Sequence, residues 1–206
     1  MILIGVPVNK DFTIDVRTAA YCSAEAMRPG VKWGYVASRE AGVGRSTFVH
    51  FALKNPEVTH LYFIDSDVVP PDGALQKLLD HNLPIVAGIY PMNVNGERAW
   101  SFKMKGGPED SSENNVYGGW LRRGHSLPKD LIKATAIGGS TLLIKREVVE
   151  KLKKPCFKIV YKPIDDKGRC YDYGEDEYFS KIAIEAGYDI MIDPTIICKH
   201  YNYKEL

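Results

Sequence analysis

Nowhere in its 206 residues does the chain carry about 18 consecutive apolar residues, so no membrane-crossing helix is expected. The opening Met1-Ile2-Leu3-Ile4 also lacks the basic flank and long apolar stretch of a secretory signal. Net charge is only +1, which removes any global electrostatic reason to expect nucleic acid or an anionic membrane as partner. Cysteine is scarce, and Cys22, Cys156, Cys170 and Cys198 show no paired metal-ligand spacing. Buried free thiols in a reducing compartment are the expectation, and with it a cytoplasmic protein. There is no internal repeat. The Gly-Val-Gly-Arg piece at 42–45 lacks the Gly-Lys-Ser/Thr ending of a phosphate-binding loop and the third glycine of a dinucleotide fingerprint.

What is present is ordinary in bulk and specific in detail. The composition, 45% hydrophobic and 26% charged, fits one well-buried globular domain over residues 1–206. The most informative stretch is His60-Leu61-Tyr62-Phe63-Ile64-Asp65-Ser66-Asp67, closed by Pro70-Pro71-Asp72-Gly73. Its apolar half reads as a buried strand of a largely parallel sheet. The two carboxylates at its exit are spaced i, i+2, so in an extended chain they project to the same side. Asp65 and Asp67 would repel each other unless a cation or hydrogen-bond donors compensate. Open α/β sheets take ligands beyond the carboxyl ends of their strands, so the pair predicts a divalent ion holding a diphosphate.

Around that stretch the pattern alternates strand and helix. Met1 to Val8 predicts a first central strand. A helix should follow, capped by Asp11 or Thr13, with Val16, Ala19, Ala20, Ser23, Ala24 and Met27 near a 3.6-residue period. Trp33 to Ala37 predicts a second strand. The segment from Ser38 to Ser46 reads as a glycine-bearing loop before a helix holding Phe48, Phe51 and Ala52. Arg39 and Arg45 are candidates for phosphate or nucleobase contact, since guanidinium pairs well with phosphate oxygens, although surface arginines are the commoner case. Pro71-Asp72 should open a helix bearing Leu75, Leu78 and Leu79, and Pro84 to Tyr90 another buried strand. Residues 91–129 are irregular, with short strands expected near 100–104 and 116–121. There Trp100, Tyr117 and Trp120 interrupt the polar sequence and could pack on a ligand or on the protein, which favours a functional flap over plain disorder. Asp130 to Ile137 and Thr141 to Ile144 read as extended segments broken at Gly138-Gly139, a bend or a close approach to a ligand. A short helix is expected from Arg146 to Leu152. Glu175 and Asp176 should sit at a helix N-terminus, backed by the core stripe Phe179, Ile182, Ala183 and Ala186. Two short strands, Tyr188 to Ile192 and Ile196 to Cys198, should flank Asp193-Pro194.

The order of apolar strand, Arg-containing loop, helix, Leu-Tyr-Phe-Ile-Asp-Ser-Asp and Pro-Pro-Asp-Gly resembles the nucleotide half of GT-A-fold glycosyltransferases, particularly the family-2-like group. Gly138-Gly139-Ser140 looks like their acceptor-side segment, and Gly174-Glu175-Asp176 like their Gly-Glu-Asp motif. The resemblance implies a single α/β GT-A-like domain with a central, mostly parallel sheet flanked by helices. Residues 1–90 would form the nucleotide-binding half, 91–129 a variable region and 130–206 the acceptor and catalytic half. It implies a metal-dependent transferase moving a sugar from a nucleotide-sugar donor, UDP- or GDP-linked, to a hydroxyl of a glycan or other acceptor. Asp65, Asp67 and His200 would hold Mn²⁺ or Mg²⁺. Pro7, Val8, Arg39, Arg45, Ser66 and Gly139 would line the donor site. Asp176 would be the base of an inverting reaction, with Glu175 binding or supporting the acceptor. A helix dipole should lower the Asp176 pKa. Two other readings are a nucleotidyltransferase of similar fold and a non-catalytic nucleotide-sugar or glycan-binding domain.

Overall fold

A computed structural model describes residues 1–11, 13–94, 96–104, 119–122, 124, 126–163 and 170–201. The chain opens with β1 (Ile2–Val8), α1 (Val16–Ala26), β2 (Val31–Ala37), α2 (Ala41–Lys54) and β3 (His60–Phe63). The acidic turn then leads into the two-residue β4 (Val68–Val69), α3 (Ala74–Asp80) and β5 (Ile85–Ile89). β6 (Pro91–Val94), β7 (Glu97–Met104) and β8 (Gly119–Arg122) form a side sheet that β10 (Ala136–Ile137) joins after β9 (Ile132–Ala134). The remainder is β11 (Leu142–Lys145), α4 (Arg146–Lys151), the hairpin β12 (Val160–Pro163) and β13 (Cys170–Tyr173), α5 (Glu175–Glu185), β14 (Ile190–Ile197) and β15 (Lys199–His200).

The central sheet has seven strands in the order β2-β1-β3-β11-β5-β14-β9. β1 pairs in parallel with β2 and β3, and β5 with β14, whereas β11 and β9 run against their neighbours. The sheet is therefore α/β and mostly parallel. Its single-face alternation disappears in β3: Leu61 and Phe63 belong to the cluster under α2, α4 and α5, while Tyr62 and Ile64 belong to the one under α1 and α3. A strand buried on both faces must be apolar at every position, which is why Leu61 to Ile64 reads as an unbroken apolar run. Phe63, Phe157 and Phe179 continue one cluster, with ring centroids 5.4 Å and 4.7 Å apart.

Several local expectations are corrected. α1 is capped by Asp15, whose side chain accepts from Arg17 N, not by Asp11 or Thr13. Its buried face is Thr18, Tyr21 and Cys22, while Val16 and Met27 are exposed. Thr18 is on that face because its hydroxyl donates to Val68 O at 3.1 Å, a bond that hydrophobic periodicity does not report. α2 starts at Ala41, so Gly42, Gly44 and Arg45 belong to a helix instead of a loop. α3 starts at Ala74 with Gly73 as its cap, so Asp72 stands before it. The two strands expected around Asp193-Pro194 are one irregular strand, β14, whose register shifts between Ile192 and Ile197. Proline is tolerated there because an irregularity already interrupts the ladder. Trp100 packs against the core, and Tyr117 lies outside the described residues. Cys22, Cys156 and Cys198 are buried and free. Among the described residues no helix is long and apolar enough to cross a membrane.

Asp193 makes β14's irregular segment a fixed point. It is buried, accepts from Thr195 N at 2.9 Å, and meets His81 Nε2 at 2.9 Å and Lys77 Nζ at 3.2 Å. Burial alone would raise its pKa, but these donors outweigh burial and hold it at about 2. A carboxyl depressed in the folded state stabilises the fold above its unfolded pKa of about 4, and that stability is lost as the pH falls toward the folded value. Thermal melts should therefore show Asp193→Asn below wild type at pH 7. The gap should narrow between about pH 4 and about pH 2. A gap independent of pH would contradict this account.

Candidate active site

Strand direction decides what can meet. β1, β2, β3, β5 and β14 point the same way, so Val8 at the end of β1, and Ser38, Asp65, Tyr90 and Cys198 beyond the ends of the others, all lie at one edge of the sheet. β11 runs oppositely, which brings the residues before it, Gly139 to Thr141, to that same edge. α2 and α5 start from it as well, carrying Arg45 and Glu175-Asp176 in their early turns. The result is a cavity of about 340 Å³ at the carboxyl edge. Pro7, Val8, Arg39, Arg45, Asp65, Ser66, Asp67, Gly139, Glu175, Asp176 and His200 all line it. Asn9, Ser38 and Ala41 line it too and were missed. Their only signal in the sequence is their place just after β1 and β2.

Arg45 is the electrostatic centre. It is buried and its two terminal nitrogens donate separately to Asp65 and Glu175, tying the acidic turn after β3 to the start of α5. Two glycines make room for this. A Cβ on Gly139 would collide with the guanidinium, and one on Gly42 would lie 2.9 Å from Glu175 Cβ. Arg39, by contrast, is exposed at the cavity mouth. Thus the two arginines expected to act alike are separated by burial: one holds carboxylates and the other faces outward. Asp65 N donates to Ser140 Oγ at 2.9 Å, which fixes the strand exit against the β11 side. The adjoining Thr141 has φ 55°, an unfavourable region for a β-branched residue, and strain of this kind clusters at functional sites.

Asp65 and Asp67 have different partners. Asp67 Oδ2 lies 3.3 Å from His200 Nε2, and His200 Nδ1 lies 2.8 Å from Pro91 O. A carbonyl only accepts, so Nδ1 carries the hydrogen and Nε2 is the nitrogen turned toward Asp67. β15 pairs with β4, placing His200 opposite Val68 and next to the acidic turn. Burial would lower the His200 pKa, but the Asp67 and Pro91 contacts outweigh it and raise the value. Among the described residues no three His, Cys, Asp or Glu side chains gather into a metal cluster, consistent with Asp65 being held by Arg45. The donor set of Asp67 and His200 still suits a divalent ion. An imidazole whose other nitrogen is anchored to a carbonyl is the usual preparation of a metal-ligating histidine.

Asp176 lies in the first turn of α5, where its Oδ1 accepts from Glu177 N at 2.8 Å. The expected lowering by the helix dipole does not occur. Burial, then the neighbouring charge of Glu175, push it up to about 7 against the opposing effects of Arg45 and the Glu177 N–H. A carboxylate poised near neutrality can take a proton from a hydroxyl far more readily than an ordinary one.

No protein-family model matches the chain, and no curated protein matches it by sequence. Solved structures do. A197 from STIV, a viral protein, shares 17% identity at a TM-score of 0.67, over 98% of this chain and 86% of that one. GalNAc-T7, solved with UDP, GalNAc and Mn²⁺, shares 11% identity at a TM-score of 0.54 over 97% of this chain. This chain spans only 43% of that protein. These likenesses show the fold, a GT-A-like α/β domain.

Proposed function

We propose that the chain is a metal-dependent glycosyltransferase that moves a sugar from a nucleoside diphosphate sugar to an acceptor hydroxyl, with inversion. The observation that carries this reading is a single cavity lined both by Asp67 and His200 and by Glu175 and Asp176. Asp67 and His200 would hold Mn²⁺ or Mg²⁺, an oxygen and imidazole set compatible with such ions. Asp65 would add negative charge nearby while remaining paired with Arg45. When bound, the ion would supply positive charge against the leaving diphosphate. Pro7, Val8, Asn9, Ser38, Arg39 and Ser66 would line the nucleotide side, and Gly139 would allow the donor to approach the backbone. Asp176 would accept the acceptor's hydroxyl proton. Glu175, held by Arg45, would position the acceptor. The fold likeness to a protein solved with UDP, GalNAc and Mn²⁺ supports a UDP-sugar first among donors, with GDP-sugars next. A glycan or other hydroxyl compound is the proposed acceptor, and the three buried free thiols support a cytoplasmic setting.

The test is a screen of UDP-, GDP-, CMP- and TDP-sugars for Mn²⁺-dependent turnover, with mass spectrometry of the transferred product. Formation of a nucleotide sugar from a nucleoside triphosphate and a sugar phosphate would instead place the chain among nucleotidyltransferases. Calorimetry adds a direct check on the ion. Asp67→Ala should weaken UDP binding and abolish its response to Mn²⁺. Affinity that is unchanged and metal-independent in the variant would overturn the role of Asp67.

A further inference from the structure

Arg17 and Tyr201 lie off the cavity lining, yet they close a circuit around its acidic turn. Arg17 Nε and Nη2 donate to the two oxygens of Asp15 at 2.8 and 2.6 Å. The guanidinium carbon lies 3.2 Å from the centre of the Tyr201 ring. Tyr201 N donates to Asp67 O at 2.9 Å, and Asp15 N donates to Ser66 O at 2.8 Å. The start of α1, the turn at Ser66-Asp67 and the segment after β15 are therefore joined in one loop of contacts. His200 is the residue immediately before Tyr201.

We propose that Arg17 is a positioning residue that clamps the Tyr201 ring and so keeps His200 in register beside Asp67. The imidazole itself is seated by Pro91 O, Asp67 and the Tyr90 ring, so the clamp acts on the backbone that carries it. The ladder of β15 with β4 is only two residues long, Lys199 opposite Val69 and His200 opposite Val68. A ladder that short is marginal by itself and opens readily at its end. Asp15 holds the guanidinium by two parallel bonds, so the plane that meets the ring is fixed before the ring arrives. The ion pair itself is solvent-exposed on the Arg17 side, at 52% of its side chain, and contributes little stability alone. Its effect is directional: it orients a cation over an aromatic face, and the peptide bonded to Asp67 O moves with that ring. This inference rests on the metal-site reading only for its functional consequence, while the clamp itself is a property of the folded chain.

The experiment compares wild type, Arg17→Ala, Tyr201→Ala and Tyr201→Phe as full chains. Amide exchange at Tyr201 is measured without metal, followed by Mn²⁺ titration in the presence of UDP. Arg17→Ala and Tyr201→Ala should speed exchange of the backbone amide at position 201, relative to its intrinsic rate, by roughly 2- to 30-fold, the range a cation–π contact is worth, with little change in melting temperature. Tyr201→Phe keeps the ring and should exchange like wild type. Apparent Mn²⁺ affinity should fall in the two alanine variants by a similar factor and be retained in Tyr201→Phe. Wild-type exchange in Arg17→Ala, or exchange in Tyr201→Phe as fast as in Tyr201→Ala, would overturn the clamp. If the wild-type chain binds no Mn²⁺, the metal-site reading fails, and the exchange comparison still decides the clamp.

Discussion

Asp176→Asn is expected to lower sugar transfer by ~10²–10⁴-fold, the usual contribution of a general base, while leaving donor affinity near wild type. The amide retains an acceptor oxygen for the Glu177 N–H and loses the negative charge and the ability to take a proton. Because burial and Glu175 push the Asp176 carboxyl up to about 7, wild-type kcat/KM should decline as the pH drops below that value. The variant should show no such limb. Stability should move the other way. A carboxyl whose folded pKa is raised binds its proton more tightly in the folded state. It therefore weakens the fold progressively as the pH rises from its unfolded pKa, about 4, to its folded one. Above about pH 7 that cost is fully present, so Asp176→Asn should melt higher than wild type at pH 8. An inactive variant that also melts well below wild type at pH 8 would make Asp176 a helix cap. A fully active one would leave the proton transfer to another group.

Much of this site could be read before any fold was known, and the reason is local. Leu61 to Ile64 is apolar at every position because both faces of β3 are covered, and Pro70-Pro71 follows the carboxylates after the two residues of β4. The start of α5 is marked by acidic residues followed by Phe179 and Ala183 at helical spacing, both buried. What escaped depends on partners distant in the chain. Gly42, Gly44 and Arg45 looked like loop because glycine is a poor helix former. In the fold those glycines let α2 approach Glu175 and Pro7, and packing outweighs propensity. The direction of β11 leaves no mark on the short run Leu142-Leu143-Ile144-Lys145, although it is what delivers Gly139 to the carboxyl edge. The division of labour between Asp65 and Asp67 was equally hidden. It is set by Arg45, 20 residues before one, and by His200 near the other end of the chain.

Arg45→Met should be among the most damaging single substitutions for stability. It removes the buried cation between Asp65 and Glu175 while keeping an apolar side chain about as bulky as the arginine's aliphatic stem. Asp65, Glu175 and Asp176 then face the same cavity without their shared countercharge. Breaking a buried ion pair from one side typically costs ~3–5 kcal/mol, because an uncompensated charge is left behind. For a chain of this size that amounts to a fall on the order of 10 °C in melting temperature. Arg45→Lys should recover only part of it, since an ammonium cannot present the two separate donors with which the guanidinium spans both acids. The loss should also depend on pH. Arg45 opposes the raised pKa of Asp65 and Asp176, so without it those two carboxyls hold their protons to higher pH, and the deficit relative to wild type should be largest near pH 8 and shrink toward pH 5. Replacing the stranded acids should rescue the fold: Arg45→Met combined with Asp65→Asn and Glu175→Gln should melt above Arg45→Met alone, a coupling that additive effects would not produce. If Arg45→Met melts like wild type at pH 8, Arg45 does not hold these carboxylates together.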